Sequence, residues 1–381
     1  MEIEAALKKR QVEGNLRVLK PVTQRMEARI TVNGKTYVDF SSNDYLGLSS
    51  HPKLQAAALK AIEEQGTSSC ASRLLSGDLD IFHRLEEKTA AFKKKEAVLV
   101  FNSGYQANLG IISALYGKDA CIFSDRLNHA SILDGIKLSG AKLFRFQHND
   151  LEHLESLLKQ ERNNSKKALI VTESVFSMDG DKAPLKGIAA LKERYGCELF
   201  VDEAHATGIF GKNGSGLAEE AEVTERIDFI MGTFSKALGS FGAYFAGSKK
   251  TIDYLVNTCR SFIYSTALPP AVIAANLAAI GLISEEPQRR KKVLASADYF
   301  RGKLSASGFE VRGESQIVPM VLGDSIQAVR LAEKIQAGGY WAMPIRPPTV
   351  PKNQARLRFS VCFNHEIEML DQLVNIINKN A

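Results

Sequence analysis

The chain has 381 residues, 45% of them apolar and 24% charged, with a formal charge of +6. That length can bury a large core and suits two domains, and the composition is ordinary for a soluble globular protein. The positive excess is mild and falls in short clusters such as Lys93-Lys94-Lys95, which read as solvated helix faces and point to no nucleic-acid partner, although a diffuse positive field favours an acidic substrate.

Residues 1–20 alternate charged and apolar positions, as a surface helix does, and Arg29–Phe40 reads as a hairpin turning at Asn33-Gly34. From about residue 52 to 260, short apolar runs alternate with helical stretches. Ala97–Phe101, Ala120–Phe123, Leu143–Phe146, Ala168–Thr172, Leu199–Val201 and Ile227–Met231 are the expected strands. Such alternation predicts an α/β domain around a mainly parallel sheet. Pro269-Pro270 breaks the pattern, a long helical region follows to about residue 306, and the remainder mixes strands and helices in α+β fashion. The expected division is an N-terminal segment 1–50, a large domain 51–268 and a smaller α+β domain 269–381.

Cys70, Cys121, Cys197, Cys259 and Cys362 are widely spaced and form no C-x-x-C pair. Neither a zinc site nor a disulfide framework is signalled, and a reducing, cytoplasmic setting is expected. The charged start Met1-Glu2-Ile3-Glu4 lacks a signal-peptide core. The longest apolar stretch, around Ala271–Ile283, contains Asn276 and is too short to span a bilayer, so no membrane partner is expected.

Parallel sheets bind ligands beyond the C-terminal ends of their strands, so the residues following each strand are the place to look. Lys236 follows the Ile227–Met231 run, and Asp202 and His205 follow Leu199–Val201. A lysine amine can condense with an aldehyde, and an aspartate can keep a pyridine nitrogen protonated; together they suit pyridoxal 5'-phosphate (PLP). Alone, Lys236 would read as a surface lysine and Asp202 as a helix N-cap. His205, three residues on, can support that aspartate or touch the cofactor's phenolic oxygen. Ser103-Gly104-Tyr105 opens a helix whose free N–H groups suit a phosphate, and Thr233 and Ser235 offer hydroxyls to the same group. His129 can stack on the pyridine ring, Ser177 can hydrogen-bond the ring oxygen, and Glu173 can support the acyl-transfer step or the local network. Arg346, in the proline-stiffened Ile345–Pro351, and Arg358 can clamp a carboxylate; Arg356, on the same strand face as Arg358, is expected to be surface charge. Gly211–Gly216 fits neither the dinucleotide nor the P-loop pattern and is expected to be a flexible loop. His129, Asp202 and His205 lack metal-ligand spacing, so no metal is expected.

These residues resemble those of the α-oxoamine synthases, within fold type I of the PLP enzymes, over nearly the whole chain from Asn15 to about Ile377. The resemblance is carried by Ser42–Leu48, Asn128-His129-Ala130-Ser131, Val175–Gly180, Asp202–Gly208 and Gly232–Gly239. Ile263–Pro270 and Ala342–Pro351 are similar to the biotin-pathway members of that family. The resemblance implies a PLP-dependent transferase fold and a decarboxylative condensation of L-alanine with a pimeloyl thioester carried by CoA or acyl carrier protein. It implies roles by position: Lys236 as the Schiff-base lysine, Asp202 as the pyridinium partner, His129 stacked on the ring, and Ser177 and His205 at the ring oxygen. Gly104, Tyr105 and Thr233 would surround the phosphate, Thr266 would reach the partner subunit's phosphate in a homodimer with shared sites, Asn43, Arg346 and Arg358 would meet the amino acid, and Arg17 would stand at the acyl-donor entrance. Position 203 departs from many members, with Glu in place of a second Asp. The rival readings are another α-oxoamine synthase using glycine or serine, and a catalytically silent partner subunit of the same fold. A nicotinamide-dependent dehydrogenase lacks its glycine fingerprint here.

Overall fold

The computed structural model describes residues 2–381, which divide into two compact units. The first runs to Gly47 and takes in Ser177–Lys182 and Lys291–Ala381; the second comprises Leu48–Phe176 and Ala183–Arg290. In the first unit, helix α1 (Ile3–Val12) precedes strands β1 (Val22–Met26), β2 (Arg29–Val32) and β3 (Lys35–Asp39). β2 and β3 form the expected hairpin, with Asn33 and Gly34 both at positive φ, as a two-residue turn of this kind requires.

The second unit is built on a seven-stranded sheet. Its strands are β4 (Ala97–Phe101), β5 (Ala120–Asp125), β6 (Lys142–Phe146), β7 (Lys167–Glu173), β8 (Glu198–Asp202), β9 (Phe229–Thr233) and β10 (Ala243–Gly247). They lie in the order β4-β10-β9-β8-β7-β5-β6. β6, β5, β7, β8 and β9 run parallel, whereas β10 is antiparallel to both β9 and β4. The six expected strands are all present; β10 was not expected. Central strands such as Leu169–Val171 and Leu199–Val201 are completely buried, as strands covered by helices on both faces must be. Helices α2 (Pro52–Gln65), α3 (Asp80–Lys93), α4 (Gly104–Leu115) and α5 (Ala130–Ser139) belong to this unit. Ser103 caps α4 by accepting from the Gln106 N–H, and His129 caps α5 through its ring nitrogen. A core of Leu99, Phe101, Ile111, Ile112, Ile132, Ile136, Phe200 and Phe245 packs α4 and α5 onto the sheet.

The chain returns to the first unit with β11 (Glu310–Val311), β12 (Ile317–Gly323), β13 (Tyr340–Trp341), β14 (Pro344–Ile345) and β15 (Ala355–Ser360). β13 joins the N-terminal hairpin by pairing parallel with β3, Trp341 opposite Asp39, while β11, β12, β15 and β14 form a second four-stranded sheet. Among the described residues no helix is long and apolar enough to cross a membrane.

His365 locks this unit. It is fully buried, stacks on Phe40 with ring centroids 4.0 Å apart, accepts from the Cys362 N–H through Nδ1 at 3.1 Å and faces the Asp39 carbonyl through Nε2 at 3.2 Å. Burial pulls its pKa down from 6.5 to about 3. The unfolded chain therefore binds a proton in that interval that the folded chain does not, so stability present above pH 6.5 is lost progressively as pH falls towards 3. The expected loss is several kcal/mol, at about 1.4 kcal/mol for each tenfold difference in proton affinity. Urea unfolding between pH 7 and 4 should show it, with a shallower slope in His365→Gln; equal slopes in the two proteins would refute the assignment.

Candidate active site

The C-terminal ends of the parallel strands, together with the start of α4, surround a cavity of about 260 Å³ within the second unit. It is lined by Ser103, Gly104, Tyr105, His129, Glu173, Asp202, His205, Thr233, Ser235 and Lys236, and also by Asn108, Ser131, Ala204 and Met231. Strand ends at β4, β5, β7, β8 and β9 deliver these groups to one edge, which is where an α/β sheet offers a ligand its site.

Lys236 is half-buried, and its Nζ stands 2.8 Å from His205 Nε2. Asp202 is 5% exposed, and its two oxygens are held differently: Oδ1 accepts from the Ala204 N–H at 2.8 Å and Oδ2 from Asn108 Nδ2 at 2.9 Å. His129 is exposed at the cavity's edge. Its backbone N–H donates to Glu173 Oε1 at 2.6 Å, and its Nδ1 lies 2.8 Å from Ser131 Oγ. Partial desolvation and the Lys236 charge hold the His129 pKa below its ordinary value against the pull of Asp202, so the ring is neutral at physiological pH and suited to stacking. Glu173 thus acts on the backbone of His129, and its own N–H is fixed by Asn128 Oδ1 at 3.0 Å.

At the other side of the cavity, Ser103 Oγ accepts from the Gln106 N–H at 3.2 Å, leaving earlier N–H groups of α4 for an anion. Gly104 presents only backbone there. The Thr233 hydroxyl donates to the Gly242 carbonyl at 2.7 Å and accepts from the Ser235 N–H at 3.0 Å, so it fixes the turn carrying Lys236. Tyr105 is half exposed; its ring meets His129 edge-on at 6.3 Å, and its hydroxyl is bonded to Asp134. The donor set fits a phosphorylated pyridine aldehyde: an amine, an acid with open lone pairs, a neutral imidazole and a capped helix start line one cavity.

Thr266 does not line this cavity. It is exposed, and its carbonyl accepts from Asn102 Nδ2 at 2.9 Å. The remaining expected residues lie in the first unit. There Arg358, 8% exposed, donates from Nε to the Ser177 carbonyl at 2.5 Å, from both terminal nitrogens to Asn43 Oδ1 at 3.3 Å, and to Ser360 Oγ and the Tyr45 hydroxyl. Ser177, Asn43 and Arg358 are therefore one cluster. Arg17 donates to Thr349 Oγ1 at 2.9 Å and Arg346 to the Gly14 carbonyl; desolvation, with the neighbouring Arg17 charge, lowers the Arg346 pKa.

Three expectations are corrected. Lys93, read as part of a solvated helix face, is 1% exposed and donates to the buried Glu203. Arg356 is not surface charge: it is 1% exposed, with Nη1 2.6 Å from Asp179 Oδ1 and 3.2 Å from the Met178 carbonyl. With Arg358 on Ser177, the two β15 arginines hold the Ser177–Asp179 segment. Gly211–Gly216 is not loose either, since the N–H groups of Asn213 and Ser215 both donate to Glu219 Oε2 at 3.1 Å and Lys93 donates to the Ser215 carbonyl. Asn108 and Ser131 went unrecognised in the sequence. Ser131 closes the Asn128–Ser131 motif but was given no role of its own, and Asn108 was marked only as a polar residue among the buried apolar positions of α4.

Residues 35–377 match the family model described as aminotransferase class I and II. The chain is 48% identical to the 8-amino-7-oxononanoate synthase of Geotalea daltonii over 96% of its own length and 93% of that protein's. It is 47% identical to the same-named protein of Geobacter sulfurreducens, over 98% and 96% respectively. Among solved structures, serine palmitoyltransferase from S. paucimobilis with bound PLP–myriocin superposes with a TM-score of 0.94 at 31% identity, covering 99% of this chain and 96% of that one. An 8-amino-7-oxononanoate synthase from Francisella tularensis superposes at 0.79 and 32% identity, covering 90% and 97%. With that sheet order, this cavity and these relatives, the chain belongs to the aminotransferase class I and II family and, within it, to the α-oxoamine synthases.

Proposed function

We propose that the protein is an acyltransferase that joins L-alanine to a pimeloyl thioester, carried by CoA or acyl carrier protein, to give 8-amino-7-oxononanoate, CO2 and free thiol, a step of biotin biosynthesis. The observation that carries this reading is the cavity in which Lys236, His205 and Asp202 converge, in a chain 46–48% identical to several proteins of that name. The cofactor is PLP, which supplies an electron sink for negative charge developing at the amino acid's α-carbon.

Lys236 Nζ removes the α-proton and later returns one, with His205 at 2.8 Å to share the charge. With PLP bound, Asp202 would hold the proton at the pyridine nitrogen and His129 would cover the ring. Ser103, Gly104 and Tyr105 at the start of α4 would take the phosphate with Thr233, Glu173 steadies the His129 backbone, and Ser177 would meet the ring oxygen. Arg358, with Asn43 and Arg346, takes the amino acid's carboxylate, and Arg17 faces the acyl donor. The C–C bond forms at the thioester carbonyl as the thiol leaves, and CO2 departs from the resulting β-keto acid. We further propose a cytoplasmic homodimer in which the exposed Thr266 serves the neighbouring subunit's phosphate.

Another α-oxoamine synthase activity is the second reading, favoured by the serine palmitoyltransferase superposition. PLP-loaded protein should be yellow, change its visible spectrum with L-alanine, and release one thiol and one CO2 per turnover when pimeloyl-CoA is added. A response to glycine or serine but not to alanine would move the substrate. Failure to take up PLP would overturn the reading altogether.

A further inference from the structure

Asn108 sits on α4 and is 1% exposed, on a helix whose other buried residues are Ala107, Gly110, Ile111 and Ile112. Both hydrogens of its side-chain nitrogen are committed: one to Asp202 Oδ2 at 2.9 Å, the other to Ser131 Oγ at 3.0 Å. Its Oδ1, equally buried, has no hydrogen-bond partner. A buried acceptor left unpaired costs free energy, so stability alone does not account for a carboxamide at this position. The orientation is fixed by chemistry. Turned over, the amide would set its carbonyl oxygen against the Asp202 carboxylate, acceptor to acceptor.

Ser131 Oγ, accepting from Asn108, lies 2.8 Å from His129 Nδ1, and the Ser131 N–H points at the same nitrogen at 3.3 Å. A continuous line of hydrogen bonds therefore runs from Asp202 through Asn108 and Ser131 to His129. Asp202 Oδ1 is meanwhile held by the Ala204 N–H. With one bond on each oxygen, the carboxylate cannot rotate about its terminal torsion without breaking both.

We propose that Asn108 is a positioning residue: it fixes the orientation and basicity of the Asp202 carboxylate towards the cofactor's ring nitrogen, and through Ser131 it keeps the stacking imidazole in register with that acid. The inference rests on the assignment of Asp202 and His129 to the PLP site. A carboxylate deprived of a donor becomes more basic and draws the shared proton away from the ring nitrogen. It also becomes free to turn.

The test uses the full-length protein, stripped of PLP and reloaded with PLP labelled with 15N in the ring. In Asn108→Ala the dissociation constant for PLP should rise by roughly tenfold or more, the loss expected when a buried charged group is deprived of a hydrogen bond. The ring-nitrogen signal should move towards its unprotonated position. Asn108→Ser, which keeps one donor, should show both effects at smaller size, and it serves if the alanine variant folds poorly. Ser131→Ala, which breaks only the arm to His129, should leave the ring-nitrogen signal in place. A purely structural Asn108 would lower thermal stability without moving either reading. Folded Asn108 variants that bind PLP within about twofold of the wild type and show an unshifted ring nitrogen would overturn the proposal alone. A wild-type protein that takes up no PLP would overturn the functional reading, and this proposal with it.

Discussion

Lys236→Ala should reduce turnover by about 10⁴-fold or more, the scale expected when a positioned proton-transfer group is removed, with further loss because the same amine anchors the cofactor. Among the described residues lining the cavity it is the only lysine, so no neighbour is placed to substitute for it. His205, 2.8 Å away, is an imidazole whose ring cannot reach where a flexible four-carbon stem can. The variant should still fold, since Lys236 is half-buried and sits on a turn fixed by the Thr233 hydroxyl and by the Ser240 N–H donating to the Phe234 carbonyl at 3.0 Å. A second reading separates a lost reaction from a lost fold. Borohydride treatment followed by denaturing mass spectrometry should attach the cofactor's mass to the wild-type chain and not to the variant. Turnover within tenfold of the wild type, or cofactor mass on the variant at the wild-type level, would sink the assignment.

The largest expected effect on stability lies one residue from Asp202. Lys93, at the end of α3, is 1% exposed and reaches Glu203 Oε2 at 2.5 Å and the Ser215 carbonyl. Glu203 is completely buried, and its other oxygen accepts from the Ala218 N–H at 2.8 Å. Tyr244, bonded to the Thr207 hydroxyl at 2.8 Å, closes the cluster. Burial presses the lysine towards its neutral form, but Glu203 and Tyr244 outweigh it and leave its pKa above the ordinary value. The lysine therefore stays charged through the whole neutral range, and its contribution fades as pH rises through that elevated pKa. Breaking such a pair from one side leaves a buried charge with no water and no counter-charge. Lys93→Met should cost about 3–5 kcal/mol, whereas Lys93→Met combined with Glu203→Leu should recover most of that loss. Urea unfolding of the four proteins in the cycle decides it. A single variant costing less than about 1 kcal/mol would mean that the pair contributes no more than a surface bridge. From just beyond the end of β8, the Glu203 side chain reaches this lysine. Gly216, at φ 141°, leaves the space the carboxylate occupies, and any Cβ there would run into it.

Much of this arrangement was legible in the amino-acid order. Short apolar runs followed by Asp202, His205 and Lys236 marked one edge of a parallel sheet, and Asn33-Gly34 marked the N-terminal hairpin, because both signals are local: two-residue periodicity, turn chemistry and strand length. The missed features depend on distant chain. β10 reads Ala-Tyr-Phe-Ala-Gly, with no β-branched residue to announce a strand, and pairs with β4 and β9 on its two sides. Arg356 alternates with Arg358 as expected, but what makes that face a buried one is Asp179, 177 residues away. Asn108 carries no local mark of function; its meaning comes from Asp202 on another element. The glycine-rich 211–216 stretch looks loose by composition and is pinned by Glu219 and Lys93, which composition does not reveal.

The strand pairings also impose a schedule on synthesis. β5, β6 and β7 can meet their neighbours soon after leaving the ribosome, but β4 must wait for Gly247 before its only partner in the sheet exists. β3 is in the same position, with one edge open until Trp341 has emerged. Pairings this far apart are slow to close, and a strand waiting with bare N–H and carbonyl groups can be captured by another chain. A nascent chain stalled before residue 243 therefore presents two unfinished edges at once, and chaperone dependence during translation should concentrate in that window.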